Sequence, residues 1–190
     1  MRVFFAIFPP PAVQTLAHEA VASWRARRDG VSWVAAANLH FTLRFLGEQS
    51  EAAVARALAV ARAAAVGHAA FGAALGGFAA FPTARRARVV WLGLAQGSEP
   101  MRRLAGALED GLRAAGFPAG ETEFEPHLTL GRVRTSADWT ARLIEAPAVE
   151  GRFRVEELTF VRSTLAPGGA RYEPLARVAL GPAAPAVGSA

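Results

Sequence analysis

The sequence predicts an α+β fold that is pseudo-duplicated, with one motif-bearing strand in each half. Three observations carry this. A short phrase occurs twice, as Leu39-His40-Phe41-Thr42-Leu43-Arg44-Phe45-Leu46-Gly47 and as Pro126-His127-Leu128-Thr129-Leu130-Gly131-Arg132. Both copies alternate polar and apolar residues with period 2, the mark of a half-buried strand. Helical and extended patterns interleave along the chain, but the motif strands follow short turns or loops as often as helices, which argues against a doubly wound parallel sheet. Finally, 190 residues at 52% hydrophobic content suffice for one well-cored domain or two small lobes sharing a core.

In order, residues 2 to 8 read as a buried first strand. Pro10 or Pro11 opens a helix to about Arg27, with Val13, Leu16, Ala17, Ala20, Val21 and Trp24 as its apolar stripe, and Asp29-Gly30 breaks it. Residues 31 to 34 form a short strand and 39 to 46 the first motif strand. Ser50 caps a helix to about Val66, with Val54, Leu58, Ala61 and Ala65 on its inner face. Residues 71 to 78 and 88 to 94 are strands on either side of the Phe81-Pro82 turn. Ser98 caps a helix to about Ala115, with Met101, Leu104, Leu108 and Leu112 in a stripe, Gly116 as its stop and Glu109–Arg113 as an i,i+4 pair. After a loop over 117 to 125 comes the second motif strand, 127 to 133. Ser136 or Asp138 opens a short helix to about Glu145, and strands near 153 to 163 and 172 to 180 close the fold. The domain is expected to span 1–181 as lobes of roughly 1–95 and 96–181, with or without strands exchanged between them, and 182–190 to be a disordered Pro/Ala/Gly/Ser tail.

The chain has no cysteine, so disulfides and thiolate metal sites are excluded. The apolar opening run stops at three prolines, too soon for a signal sequence, and no stretch approaches a membrane span. A cytoplasmic monomer without membrane contact is the expectation. Formal charge is +5 and every basic residue is arginine. Arginine's planar fork suits phosphate oxygens, so an anionic partner such as RNA is favoured, though charge alone does not name one.

Alternation puts His40 and Thr42 on one face of the first motif strand, and His127 and Thr129 on one face of the second. Packing needs no such matched polar positions on otherwise apolar strands. Two imidazoles can give and take protons near neutral pH, and two hydroxyls can donate to phosphate oxygens. Arg44 shares the face of His40 and Thr42 and is a further phosphate candidate; its bland alternative is a solvated sheet edge. Arg132 falls on the wrong face under strict alternation unless Gly131 supplies a bulge. His18 and His68 lie on or at the end of helices, outside the motifs. Trp33, Phe41, Phe78, Trp91 and Tyr172 are able to stack a base, with core packing the simpler role for most.

The two phrases resemble the paired His-x-Thr-x motifs of the two-histidine phosphoesterase superfamily, and within it the RNA 2′,3′-cyclic phosphodiesterase or 2′-5′ RNA ligase-like branch. Further matches are Met1 to Ile7, Val31-Ser32-Trp33-Val34 with Asn38-Leu39-His40, Arg88 to Gly93, and Ser163-Thr164-Leu165 with Gly168 and Tyr172. The resemblance covers roughly residues 1–180. It implies two similar lobes of mainly antiparallel sheet, outer helices and a central groove. It also implies metal-independent, cofactor-free opening of RNA 2′,3′-cyclic phosphate ends to 2′-phosphates. His40 would be the proton donor, His127 the acceptor, and Thr42, Thr129 and Arg132 the phosphate binders. Reverse 2′-5′ ligation, another cyclic nucleotide such as ADP-ribose cyclic phosphate, and a non-catalytic RNA-binding module are the alternatives. Intact His and Thr in both copies weigh against the last. A zinc site is poorly served by two histidines without cysteine or a carboxylate cluster.

Overall fold

A computed structural model describes residues 1–120, 124–167 and 169–182. Gly168, residues 121–123 of the loop before the second motif, and residues 183–190 of the expected tail lie outside them.

The strands are β1 (Arg2–Ile7), β2 (Val31–Trp33), β3 (Phe41–Glu48), β4 (Phe71–Phe81), β5 (Ala87–Gln96), β6 (Leu128–Ala137), β7 (Arg152–Val155), β8 (Glu157–Ala166) and β9 (Gly169–Ala179). The helices are α1 (Pro11–Glu19), α2 (Ala22–Ala26), α3 (Glu51–Val66), α4 (Ser98–Ala114) and α5 (Thr140–Ile144). All nine strands join one sheet in the order β7-β4-β5-β6-β3-β1-β8-β9, with β2 also on β6. Every pairing between these strands is antiparallel. The α+β fold with mainly antiparallel sheet and outer helices is therefore what the chain adopts.

The sheet has two halves. β1, β3, β8 and β9 carry the first motif; β2, β4, β5, β6 and β7 carry the second. They meet between β3 and β6 at the single pair Phe41–Leu128. Neither half coincides with 1–95 or 96–181. The last two strands complete the half that contains the first, and β4 and β5 complete the half that contains β6. A strand's partner is set by which face and edge it can satisfy, and chain order does not fix that.

The main core lies between the sheet and the helices and includes Phe5, Ile7, Phe41, Leu92, Leu104, Leu108, Leu128 and Phe160, each no more than 2% exposed. In α4 the stripe Met101, Leu104, Leu108, Leu112 is buried as its spacing requires. Its N-cap is Gly97, not Ser98. The chain turns there at φ 91°, a left-handed conformation that glycine adopts without strain, and a Cβ would sit 2.7 Å from the Gly72 carbonyl oxygen. The Ser98 hydroxyl instead donates to the Leu94 carbonyl. Ser50 caps α3 as expected, accepting from the Ala53 amide at 3.3 Å. Its buried face is Ala53, Ala57, Ala61 and Ala65, while Val54 and Leu58 are only partly covered. Small residues there bring the helix close to its neighbours. The long first helix is two helices broken at Ala20-Val21, and the strand expected over 153–163 is broken at Glu156 into β7 and β8.

A second, small apolar cluster lies on the opposite face of the sheet. Phe4, Ala6 and Val161 form it, with Phe8 and Tyr172 packed against them. It floors the groove described next.

Candidate active site

Phe41 and Leu128, each the residue after a motif histidine, are direct partners across the seam between the halves. Both are fully buried. Their neighbours therefore turn to the other face. Continuing the antiparallel register one residue each way sets His40 opposite Thr129 and Thr42 opposite His127. The two motifs are thus related by an approximate two-fold axis through the Phe41–Leu128 pair, and each histidine faces the other copy's threonine.

The local setting of the two rings is also duplicated. His40 Nδ1 lies 2.7 Å from the Asn38 carbonyl, and His127 Nδ1 lies 2.7 Å from the Glu125 carbonyl. A carbonyl can only accept, so Nδ1–H donates in both, and the other nitrogen, Nε2, is left for chemistry. Aromatic rings wall each imidazole. Phe4, Phe8 and Tyr172 stand 5.0, 5.2 and 5.2 Å from His40. Phe81 and Trp91 stand 5.1 and 5.9 Å from His127. Burial against such walls disfavours the imidazolium. It lowers His40 to about 4, helped by the positive charges of His127 and Arg132 and opposed by the Asn38 bond. Burial lowers His127 as well, against the Glu125 carbonyl and carboxylate, which pull it up. Burial raises the Tyr172 hydroxyl, keeping it a neutral donor.

Arg132 reaches this site through a bulge. Val90 pairs with Gly131 but Trp91 with Thr129, so Leu130 is an extra residue in β6. Leu130 and Gly131 are both buried, and Arg132 returns to the side of His127 and Thr129. Glycine is needed at 131: a Cβ would come within 2.8 Å of both Trp33 Cε3 and Val31 Cγ1 on β2.

The groove has two chambers. One of about 210 Å³ is lined by His40, Thr42, Thr129, Arg132, Asn38 and Tyr172, among others. One of about 720 Å³ adjoins His127, with Thr42, Thr129 and Arg132 shared. Of the six residues singled out from the sequence, His40, His127, Thr42, Thr129 and Arg132 converge here.

Arg44 lines the larger chamber but is committed elsewhere. Its Nε donates to Glu109 Oε2 at 2.6 Å, and its other nitrogens donate to the Phe45 and Pro118 carbonyls. Glu109 Oε1 accepts from the Gly120 amide at 2.8 Å. Arg44 therefore clamps β3 to α4 and the loop after it. Glu109 makes its close ion pair with Arg44 and feels Arg113 only as a more distant charge; burial pushes the carboxyl up, but the Gly120 and Arg44 bonds and the two guanidinium charges hold it below its ordinary range.

Sequence reasoning missed several supporting residues. Gln14 is 7% exposed and donates to the Leu39 carbonyl at 2.8 Å, holding the backbone beside His40. Leu16, placed on the buried stripe by its spacing, is 41% exposed. Asn38 donates to the Ala170 carbonyl at 3.1 Å, tying the turn before His40 to β9. Phe4 and Phe5 are adjacent and alike in type, so pattern alone could not tell which faces the groove. Of the five stacking candidates, only Trp91 and Tyr172 reach a motif histidine. Among the described residues no three His, Asp or Glu side chains group as metal ligands, and no helix is long and apolar enough to cross a membrane.

Comparison with known proteins gives the same picture. The chain is 38% identical over 146 residues to the RNA 2′,3′-cyclic phosphodiesterase of Methanothermobacter thermautotrophicus, covering 75% of this chain and 78% of that one. It is 35% identical over 183 residues to the protein of that name from Escherichia coli, covering 94% and 96%. The crystal structure of E. coli LigT complexed with 3′-AMP matches at TM-score 0.76 and 32% identity, over 94% of this chain and 97% of that one. The family model of the 2′-5′ RNA ligase superfamily matches residues 9–166. With its paired His-x-Thr strands set about one seam, the chain belongs to the 2′-5′ RNA ligase superfamily, the two-histidine phosphoesterases.

Proposed function

We propose that this protein is an RNA 2′,3′-cyclic phosphodiesterase that opens the cyclic end to a 2′-phosphate by acid–base catalysis with two histidines. The observation that carries the reading is the pair of imidazoles immediately before symmetry-related strands, each with Nδ1–H locked to a carbonyl and Nε2 left for the substrate. The cyclic diester sits between the motifs. Thr42, Thr129 and Arg132 donate to its non-bridging oxygens as charge builds there. Water attacks phosphorus in line with the 3′ oxygen. The O–P bond forms as the P–O3′ bond breaks; His127 Nε2 takes the water proton and His40 Nε2–H protonates O3′. The two rings end with exchanged protonation states and reset through solvent.

The direction of proton transfer comes from the family resemblance. Burial would put the first proton on His127 in the empty site, so His40 as acid requires the bound diester's negative charge to raise it. Arg44 holds the loop and is not among the phosphate binders. The reading carries with it a cytoplasmic monomer acting on RNA or nucleotide ends, without metal or cofactor.

The larger chamber beside His127 supports a second reading, the reverse transfer to a 5′ hydroxyl that makes a 2′-5′ bond. It has room for a nucleoside where hydrolysis needs only water. Incubation with an RNA bearing a 2′,3′-cyclic phosphate, with excess EDTA present, should give a 2′-phosphate end. A 3′-phosphate end, or turnover only after a divalent ion is restored, would overturn the mechanism.

A further inference from the structure

The groove continues past the motifs to a cation that this mechanism does not use. Arg2, at the start of β1, lines both chambers. It also lines a separate hollow of about 390 Å³ at the start of β1, beside Arg162, Ser163 and Thr164 of β8. Its register partner on β3 is Glu48, the obvious carboxylate for it. Glu48 instead pairs with the Met1 ammonium at 2.9 Å, and Arg2 makes no ion pair among the described residues. The guanidinium rests 4.8 Å above the Phe45 ring, a cation–π contact. Phe45 stacks on Phe4 at 6.3 Å, and Phe4 touches His40 at 5.0 Å. A run of rings therefore fixes this charge relative to the reaction centre.

Register gives its distance. Phe4 pairs with Phe45, and Ala6 pairs with Thr42. The guanidinium over Phe45 is thus two residues along the strand from the Thr42 row, roughly 6.6 Å at strand rise. That is too far to hold the scissile phosphate alongside Thr42. It is about one phosphate-to-phosphate step along an extended nucleic-acid strand.

We propose that Arg2, seated on Phe45, binds the internucleotide phosphate next to the cyclic end, so that the site selects the terminus of an RNA chain over a cyclic mononucleotide. This rests on the function proposed above. An unpaired guanidinium facing a phosphodiester makes charge-assisted bonds that a neutral linkage cannot match.

The test uses two dinucleotides with 2′,3′-cyclic ends, one with a natural internal linkage and one with an uncharged methylphosphonate there. Wild-type protein should show kcat/KM about tenfold higher on the charged substrate. Arg2→Gln should bring that ratio close to one and make the salt dependence of log KM shallower by ~0.7, the loss of one phosphate contact on a single strand. The ratio is taken within one preparation, so a misfolded fraction cancels. Arg162→Gln, which alters the outer hollow and an exposed ion pair with Glu173 but neither chamber of the groove, should keep the wild-type ratio. A wild-type ratio near one, a ratio that survives Arg2→Gln, or an equal collapse in Arg162→Gln would each overturn the subsite. Absence of turnover on both dinucleotides would instead overturn the proposed function, and the subsite with it.

Discussion

The histidines are duplicated in geometry but not in burial, and pH dependence should report the difference. In the free enzyme burial depresses both imidazoles, His40 to about 4. One must be protonated and the other neutral, so kcat/KM should be bell-shaped, with its alkaline limb below the ordinary imidazole value of ~6.5. The bound diester is an anion and favours the imidazolium, so the alkaline limb of kcat should lie at higher pH than that of kcat/KM. Coincident limbs above neutrality would show that the aromatic walls do not desolvate the rings. Roles are separable by leaving group. On a nitrophenyl phosphodiester the departing oxygen needs no acid, so His40→Ala should lose far less, relative to wild type, than on a cyclic RNA end. His127→Ala should lose heavily on both, and the opposite pattern would reverse the assignment. The two arginines should also part company. Arg132→Met removes a donor to developing charge and should cost ~10²–10³-fold in kcat. Arg44→Met breaks the Glu109 clamp instead and should cost less than about tenfold; equal losses would mean that both touch phosphate.

At the scale of elements, the β6 bulge decides whether Arg132 belongs to the site. Gly131→Ala would push a methyl into Trp33 and Val31, displacing β2 or flattening the bulge. Overpacking of this kind costs ~1–3 kcal/mol. The urea midpoint should fall and kcat should drop toward that of Arg132→Met; wild-type values for both would show that β2 yields freely. The motif strands were legible because alternation on a half-buried strand is a direct image of its two faces: Phe41 and Leu128 are buried and their neighbours line the groove. The bulge was legible only as a glycine preceding an arginine of the wrong phase. Other features left no local signal. Gln14 is buried because the carbonyl beside His40 supplies a partner, which helical periodicity does not record. Gly97 takes the cap from Ser98 because a close approach to β4 excludes a side chain there. Arg44 looked like a phosphate ligand because its face was right; its partner, Glu109, lies 65 positions away.

For the molecule as a whole, the histidines tie stability to acid. Above pH ~6.5 neither the folded nor the unfolded chain protonates them, and the shift has no effect. Between there and about 4 the unfolded chain takes up a proton that folded His40 refuses, so stability falls as pH falls, and His127 adds in the same direction. Unfolding free energy from urea titrations should therefore drop between pH 7 and 4.5. The drop should be smaller by ~2–3 kcal/mol in the His40→Gln, His127→Gln double variant, since His40 alone spans about two pH units of that window at ~1.4 kcal/mol per unit. Equal drops would place the acid sensitivity elsewhere. Exchange of strands between the two ends of the chain was left open by the sequence, and which strands exchange was not legible, since nothing in β1 names β8 as its neighbour. It has a consequence for synthesis. Phe4 pairs with Val161, and the wall of His40 includes Tyr172. While the polypeptide is emerging from the ribosome, one edge of β1 stays open until β8 has been made. Long-range pairings of this sort form late and leave apolar edges exposed in the meantime. A product cut short before Glu157 would contain both histidines and both threonines, yet His40 would lack the Tyr172 ring that covers it and the β8 partner of β1. Proteolytic clearance of such chains would thus meet an incomplete site, because β8 and β9 are translated after both motifs and complete the wall of His40.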